Sequence, residues 1–566
     1  MIRQTKMMIV ARAMGLFTGL LLTASLSIAH QRPVEQAKPA LSEDQLGHLR
    51  HIVELARQLP GDWRYMEPRE MLSYDAYQFQ MAFISYGLAM VQVNYTPAYR
   101  ELYENAQLAL IEKMLRRDVW APTWLPIIEM EPFKNYLPAG KEWRDPVREK
   151  NIMYSGHLLQ MVSLYSVLYQ DTRFDKPDSM VFELAGPNGF RNGYSHDTLA
   201  ELVFRQFEES GHVGIECEPN NVYAECNQHA ALGLIHYDWN HDSALGDVGE
   251  LFWQKAEELE FIATGTSRTM YHYRVAEREL IDKPYAWSDG WNGLMMHAWK
   301  PEVVGRHYPA QRDSELAGLL DQNPERWSQR WSSPYVSYDF GFLAAYAAEL
   351  GDEETVTAML AYASEHFHPQ SSDGRTFFPR RDVIDAGFLE GDSINPRVPE
   401  DKYGQHELGT LASNALLPFA VLNPGRGLER LYDKRFVMSA LSENAPEVVN
   451  IQYPEVMVIS AHYEEEGSSL TLQIKPGTAY RGLVDVGIAN LNDRQTYSVL
   501  LDGEVAYKLS QGAVTKVTGG PGSADWDTGS ATLTVSLPID SGRHIELVSE
   551  YAVNRLDVAA SVAETR

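Results

Sequence analysis

An alternation between two kinds of helical segment narrows the fold of this chain more than any other feature. Six segments are apolar on nearly every face: 77–93, 151–169, 226–239, 286–299, 338–351 and 406–422. Between them run segments with one charged face, at 41–59, 99–117, 197–210 and 248–262, with weaker examples near 313–322 and 353–366. A helix that is hydrophobic all round has to be buried, whereas an amphipathic helix covers a core. Six of one kind alternating with six of the other predict an all-α (α/α)6 toroid, or barrel, over residues 41–440.

That geometry makes all the inner helices parallel, so their N-termini open on one face. Polar and aromatic groups gather at those starts: Tyr77 and Phe79; Met153 and His157; Cys226 and His229; Trp287, Asp289 and Trp291; Tyr338 and Asp339; Gln405, His406 and Glu407. Helix N-termini favour negative charge, and a bowl lined in this way is the default place for a ligand. The plainer reading of Asp289 and Asp339 is helix capping, and that of a lone buried His157 is a hydrogen-bonded core residue.

Near residue 450 the period changes. SLTLQIKPG, TYSVLLDGE, VAYKL, ATLTVSLPI and HIELVSEY are short, alternating and rich in β-branched residues. They predict a small all-β sandwich over 450–555, with VTGGPGSADWDTGS as a loop. At the other end, Arg3, Lys6 and Arg12 precede a short apolar run and the small-residue pattern Ser27-Ile28-Ala29. Residues 1–29 therefore read as a cleaved signal peptide, which makes the mature chain periplasmic or secreted and free of the membrane. The net charge of −28 argues against nucleic acid and anionic membrane partners. An inventory of 30 Tyr, 19 Phe and 12 Trp suits a pocket for an apolar skeleton or a sugar.

The chain has two cysteines, both in GIECEPNNVYAECNQHAAL: Cys217, followed by Glu218, and Cys226, which begins an inner helix. In an exported protein two cysteines ordinarily pair, and a disulfide remains one reading. The other is a working pair, because a thiol at a helix N-terminus can have its pKa lowered. Cys217, Cys226 and His229 are too loosely spaced for an ordinary structural zinc site, so no metal is expected there. No phosphate loop, zincin motif or nucleophile elbow appears.

Three motifs, EKNIMYSGH (149–157), GIECEPNNVYAECN (214–227) and KPYAWSDGW (283–291), together with YGLA at 86–89, resemble the linalool dehydratase/isomerase family in residue type, spacing and order. The likeness is clear over roughly 75–310 and covers neither the leader nor the β part. It implies an (α/α)6 barrel in an exported bacterial enzyme, often a homo-oligomer, with no metal or organic cofactor. It also implies free thiols sharing a pocket with a histidine. Carried over by motif, His157, Cys217 and Cys226 become the acid–base set, and Met153 and Tyr223 become walls of the substrate pocket; Asp289, near which the family has a pocket tyrosine, is a further catalytic candidate from its place in the bowl, and Phe79 and Glu218 are further substrate-binding candidates. The chain departs from the family where Phe79 stands in place of a pocket tyrosine. Neither Asp62 nor Asp75 reproduces the spacing of the family's N-terminal catalytic aspartate.

The function these residues predict is dehydration, hydration or isomerisation of a small apolar alkenol of terpenoid type, by a lyase or isomerase. Two other classes stay open: a carbohydrate-active hydrolase or lyase using Asp289 with Glu218 or Asp339, and a non-catalytic protein holding a lipid-like ligand.

Overall fold

The computed structural model describes residues 38–66, 76–139, 141–186, 189–283, 285–320, 336–367, 369–378, 409–442, 444–465, 468–477, 482–517 and 521–550. The expected leader, Asp75, Gln405, His406, Glu407 and the side chain of Tyr338 lie outside the described residues. From Pro39 onward the chain forms one compact unit in which helices come first and strands follow. No helix among the described residues is long and apolar enough to cross a membrane.

Ten helices open the unit: α1 (Glu43–Arg57), α2 (Ala76–Tyr95), α3 (Glu101–Met114), α4 (Arg117–Glu129), α5 (Ile152–Tyr169), α6 (His196–Glu209), α7 (Ala224–His241), α8 (Asp247–Glu258), α9 (Ala286–His297) and α10 (Pro301–Leu320). Val336–Leu350, Glu353–His366 and the π-turned segment Ala412–Leu416 leading into Leu417–Leu422 follow. The all-apolar segments are buried as their composition requires, and every residue of α5 is buried. The amphipathic ones start on caps: Ser42 forms a capping box with Gln45, and Ser195 forms one with Thr198.

The buried helices contact one another in sequence. α2 packs on α5, α5 on α7, α7 on α9, α9 on Val336–Leu350, that helix on Ala412–Leu416, and Ala412–Leu416 back on α2. α5 and α7 run parallel. A Cβ on Gly156 would lie 3.4 Å from Cys226 O, and one on Gly233 would lie 2.9 Å from Gln160 N. Only glycine lets α5 and α7 approach so closely, and the approach sets Cys226 beside the first turn and a half of α5.

The strand-rich end holds a six-stranded and a four-stranded antiparallel sheet. Strands such as Ser469–Pro476 and Thr532–Ile539 bury alternate residues in a core continuous with that of the helices. Leu41 N–H donates to Ile459 O, and Val448 N–H donates to Ala98 O, which ties the two parts together.

Several expectations need correcting. Ser523–Asp527, inside the segment read as a loop, is a strand paired with Thr532–Ile539; its Trp526 packs on the core, and the glycines around it mask the alternation. The helical half also contains short sheets, including Asn221–Val222 with His272–Arg274 and Glu279–Ile281. The sequence pattern does not reveal α4, because Pro122 and Pro126 interrupt it.

Candidate active site

The start of α7 gathers most of the sequence candidates. Its N-cap is Tyr223, and Glu225 and Cys226 lie in its first turn. The preceding loop is pinned to this turn: Asn227 Oδ1 accepts from Ile215 N–H at 2.7 Å, and Cys217 N–H donates to Asn221 O at 2.8 Å. The loop also touches α5, since Ile152 N–H donates to Glu216 O at 3.1 Å. Cys217 and Cys226 are thereby both buried, both free thiols, and close enough to shift one another's acidity.

The expected lowering of the Cys226 pKa does not occur. Burial pushes it up, Cys217 only partly offsets this, and Glu225 and Glu218 add negative charge. Burial, the Cys226 sulfur and the same two glutamates push Cys217 well above the ordinary thiol range. Desolvation outweighs the helix N-terminus, so at rest both sulfurs are thiols.

Glu225 has no part in the motif reading of the sequence. Its carboxyl is fully buried, and neither oxygen meets a donor from another residue. Burial raises its pKa to about 8, with Glu218 and Asp289 adding to the rise, so at neutral pH it carries a proton. The only sequence signal is its place beside Cys226, where an acidic residue otherwise reads as a favourable first-turn charge.

Asp289 sits in the first turn of α9 and is buried, so it is not that helix's N-cap. Its Oδ1 accepts from Thr269 N–H at 2.5 Å and Gln311 Nε2 at 3.3 Å, while Oδ2 has no partner. Burial lifts its pKa to about 6. Asp339 does cap a helix, but not its own: its Oδ1 accepts from Trp287 N–H, at the start of α9, at 2.5 Å. Asp62, paired with Arg64 at 2.7 Å, belongs to a separate ion pair.

Tyrosines and tryptophans surround the acids. The Tyr223 and Tyr271 rings meet edge to face at 5.4 Å. Tyr271 contacts Tyr285 at 5.2 Å, Tyr285 stacks on Trp287 at 5.9 Å, and Trp287 leads to Trp291 at 6.2 Å. Buried polar atoms without partners recur here, including Trp287 Nε1, Thr269 Oγ1 and both ring nitrogens of His272. Native interiors seldom leave such atoms unmet, so their concentration around one spot marks a place where a ligand completes the hydrogen bonding.

His157 lies one turn deeper. It packs on His229 at 3.8 Å between ring centroids, and His229 is three residues past Cys226 on α7, about 4.5 Å further along the axis. Phe79 presents an edge to His157 at 5.6 Å and to Trp291 at 5.2 Å. His157 Nδ1 is 2.9 Å from the Tyr86 hydroxyl, and its Nε2 is buried without a partner. Burial lowers its pKa to about 3, so it is a neutral imidazole. His229 has no free nitrogen: Nδ1 lies 2.6 Å from Gln160 Oε1, and Nε2 accepts Trp291 Nε1–H at 2.7 Å. It is therefore unavailable as a metal ligand beside the cysteines. Met153 is buried in the first turn of α5. Cys217, Glu218, Tyr223, Cys226 and Asp289 thus share one electrostatic neighbourhood with Glu225, while His157 and Phe79 belong to the layer beneath.

A family model described as linalool dehydratase/isomerase matches residues 78–384, more than half of the chain. The match spans α2, α5, α7 and α9, and with them both cysteines, Glu225, Asp289 and His157.

Proposed function

From the premise that the chain belongs to the linalool dehydratase/isomerase family, we propose that its helices form an (α/α)6 toroid whose N-terminal bowl dehydrates, hydrates or isomerises an apolar, terpenoid-like alkenol. The observation that supports this reading most is Glu225: a carboxyl that holds its proton to about pH 8, without partners, beside two protonated thiols. Protonating a tertiary or allylic hydroxyl makes water the leaving group. Glu225 donates that proton, the C–O bond breaks, and water leaves with both electrons of that bond. The allylic cation faces Trp287, Trp291 and their neighbours, whose ring faces attract positive charge.

The carboxylate left behind has a high affinity for protons in this site, so it takes one from the carbon next to the cation. An alkene forms and Glu225 is restored. Alkenol goes in, and diene plus water come out. Running the steps backwards hydrates the diene, and returning water to the far end of the allylic cation isomerises the alcohol. Cys217 and Cys226, close to one another, relay the proton between Glu225 and the oxygen, and Asp289 Oδ2 and Trp287 Nε1 hold the hydroxyl. In the same proposal the chain works in the periplasm or outside the cell.

Turnover of tertiary allylic alcohols by wild type, Cys217→Ala and Cys226→Ala tests the reading. Each variant should lose at least about 100-fold. Full activity in both variants removes the thiols from the mechanism. Oligosaccharide cleavage that is indifferent to thiol alkylation would point to sugar chemistry instead.

A further inference from the structure

At the far end of α7, about 22 Å from Cys226 along the helix, a second cluster plays no part in the chemistry above. Asp175, His196 and His241 bring one ligand atom each to within 4.8 Å of one another. We infer that these three residues bind a divalent transition-metal ion, with zinc the best fit, and that Asp197 or water supplies the fourth ligand.

Hydrogen positions decide what the cluster presents. His241 Nδ1 lies 2.9 Å from the Tyr237 carbonyl oxygen, which can only accept, so Nδ1 carries the hydrogen. His241 Nε2 meets Asp175 Oδ1 at 3.3 Å, within hydrogen-bond reach, and lies 3.8 Å from Asp197 Oδ1. His196 is fully buried; its Nε2 is engaged with Ser163 Oγ at 2.8 Å, and its Nδ1 lacks a hydrogen-bond partner 3.5 Å from the same Asp175 oxygen. Two imidazole nitrogens and one carboxylate oxygen therefore converge, and a metal ion at their centre takes the place of the proton between His241 and Asp175.

The lengths also suit a metal ion. A tetrahedron with bonds near 2.05 Å has edges of about 3.3 Å, and the two Asp175–His separations are 3.3 and 3.5 Å. Each imidazole is fixed from behind, one by a backbone carbonyl and the other by a hydroxyl, as metal-bound histidines are. The His241 and Asp175 side chains keep 16% and 27% of their exposure, which leaves an entry path. The ligands come from a short turn at Arg173–Asp175, the first residue of α6 and the last of α7, so the ion would clamp three elements. Imidazole and carboxylate donors select zinc or its neighbours over magnesium and calcium.

The test uses untagged, chelator-treated full-length protein titrated with Co2+ and followed by visible d–d absorption. The expected result is a tetrahedral spectrum that saturates at one equivalent per chain and is displaced by Zn2+. Asp175→Asn and His241→Gln should weaken binding about 100-fold or more, and Ser163→Ala, which leaves all the ligands in place, about 10-fold. Should the ligand variants fail to fold, the wild-type titration and Ser163→Ala still decide. Absence of a one-equivalent band in wild type overturns the inference, as does binding unchanged in a folded ligand variant or in Ser163→Ala.

Discussion

Two layers of one helix, a single turn apart, are built on opposite principles. Around Cys226 the polar atoms are buried and left wanting: both Glu225 oxygens, Asp289 Oδ2 and Trp287 Nε1. Around His229 they are satisfied in a chain that runs from Trp291 Nε1–H to His229, on to Gln160, and from Gln160 Nε2 to the Tyr432 hydroxyl at 2.6 Å. An unmet buried group costs roughly 1–3 kcal/mol, so the upper layer stores a deficit that the proposed alkenol would remove. Among the described rings packed on His229, only His157 keeps an unmet nitrogen, its Nε2, and on the proposed function this layer is the floor on which the upper one stands. The same helix thus separates chemistry from scaffold, and the separation can be tested by disturbing each layer in turn.

The largest effect should come from Glu225→Gln, which keeps the shape and removes the transferable proton. Catalytic efficiency on an allylic alcohol should fall about 10³-fold, the scale of general acid catalysis, while the melting temperature near pH 5 stays close to that of wild type. Activity above one-tenth of wild type would break the assignment of chemistry to the upper layer.

A second test of the same contrast is pH. The folded-state pKa of Glu225 lies above its ordinary value, so its contribution to stability is complete below about 4.5 and is lost as pH rises through about 8. Asp289 adds a smaller loss between 3.8 and about 6. Measured against Glu225→Gln, whose histidines titrate alike, wild type should lose about 3 kcal/mol between pH 5 and 9, after allowance for relaxation around the charge. Urea melts of both proteins taken across the range measure the difference. His157, held at about 3 in the folded chain, works in the opposite sense, adding stability as pH rises through 6.5, and it does so equally in wild type and in Glu225→Gln.

The floor was largely legible in the sequence and the chemistry only partly so. All-apolar runs such as 151–169 have one physical outcome, burial, and α5 appears where that rule puts it. Met153 and His157 share a face because they are four residues apart. By contrast, the acidity of a side chain depends on what closes over it, and that is set by distant residues. Cys226 at a helix start reads as an acidified thiol until the strands at His272–Arg274 and the glutamates are in place. Glu225 reads as a first-turn charge for the same reason. Asp339 was legible as a cap, but its partner, Trp287 N–H, lies 52 positions away, beyond any local pattern.

Gln160→Leu tests the floor. It leaves His229 Nδ1–H and the Tyr432 hydroxyl without partners, at a cost of about 2 kcal/mol in unfolding free energy. Turnover per folded molecule should stay within about 10-fold of wild type, since nothing that transfers a proton has changed. A loss matching that of Glu225→Gln, with stability intact, would mean that the lower layer takes part in the chemistry.

The smallest expected effect, Phe79→Tyr, sharpens the boundary between the layers. Phe79 stands where the family resemblance places a tyrosine, and it meets His157 and Trp291 edge to face. Adding a hydroxyl to a packed ring buries one more polar group, which costs about 1 kcal/mol unless a partner is at hand. The unmet His157 Nε2, on a ring that Phe79 touches, is the natural partner. If the hydroxyl reaches it, the melting temperature should hold or rise slightly, and turnover should change by no more than about 3-fold, because this pair lies beneath the reacting oxygen rather than around it. Turnover that instead rises by about an order of magnitude, with a shift in the pH profile, would make His157 and position 79 part of the proton path. The active layer would then extend one turn further down α7 than the unmet hydrogen bonds around Cys226 imply.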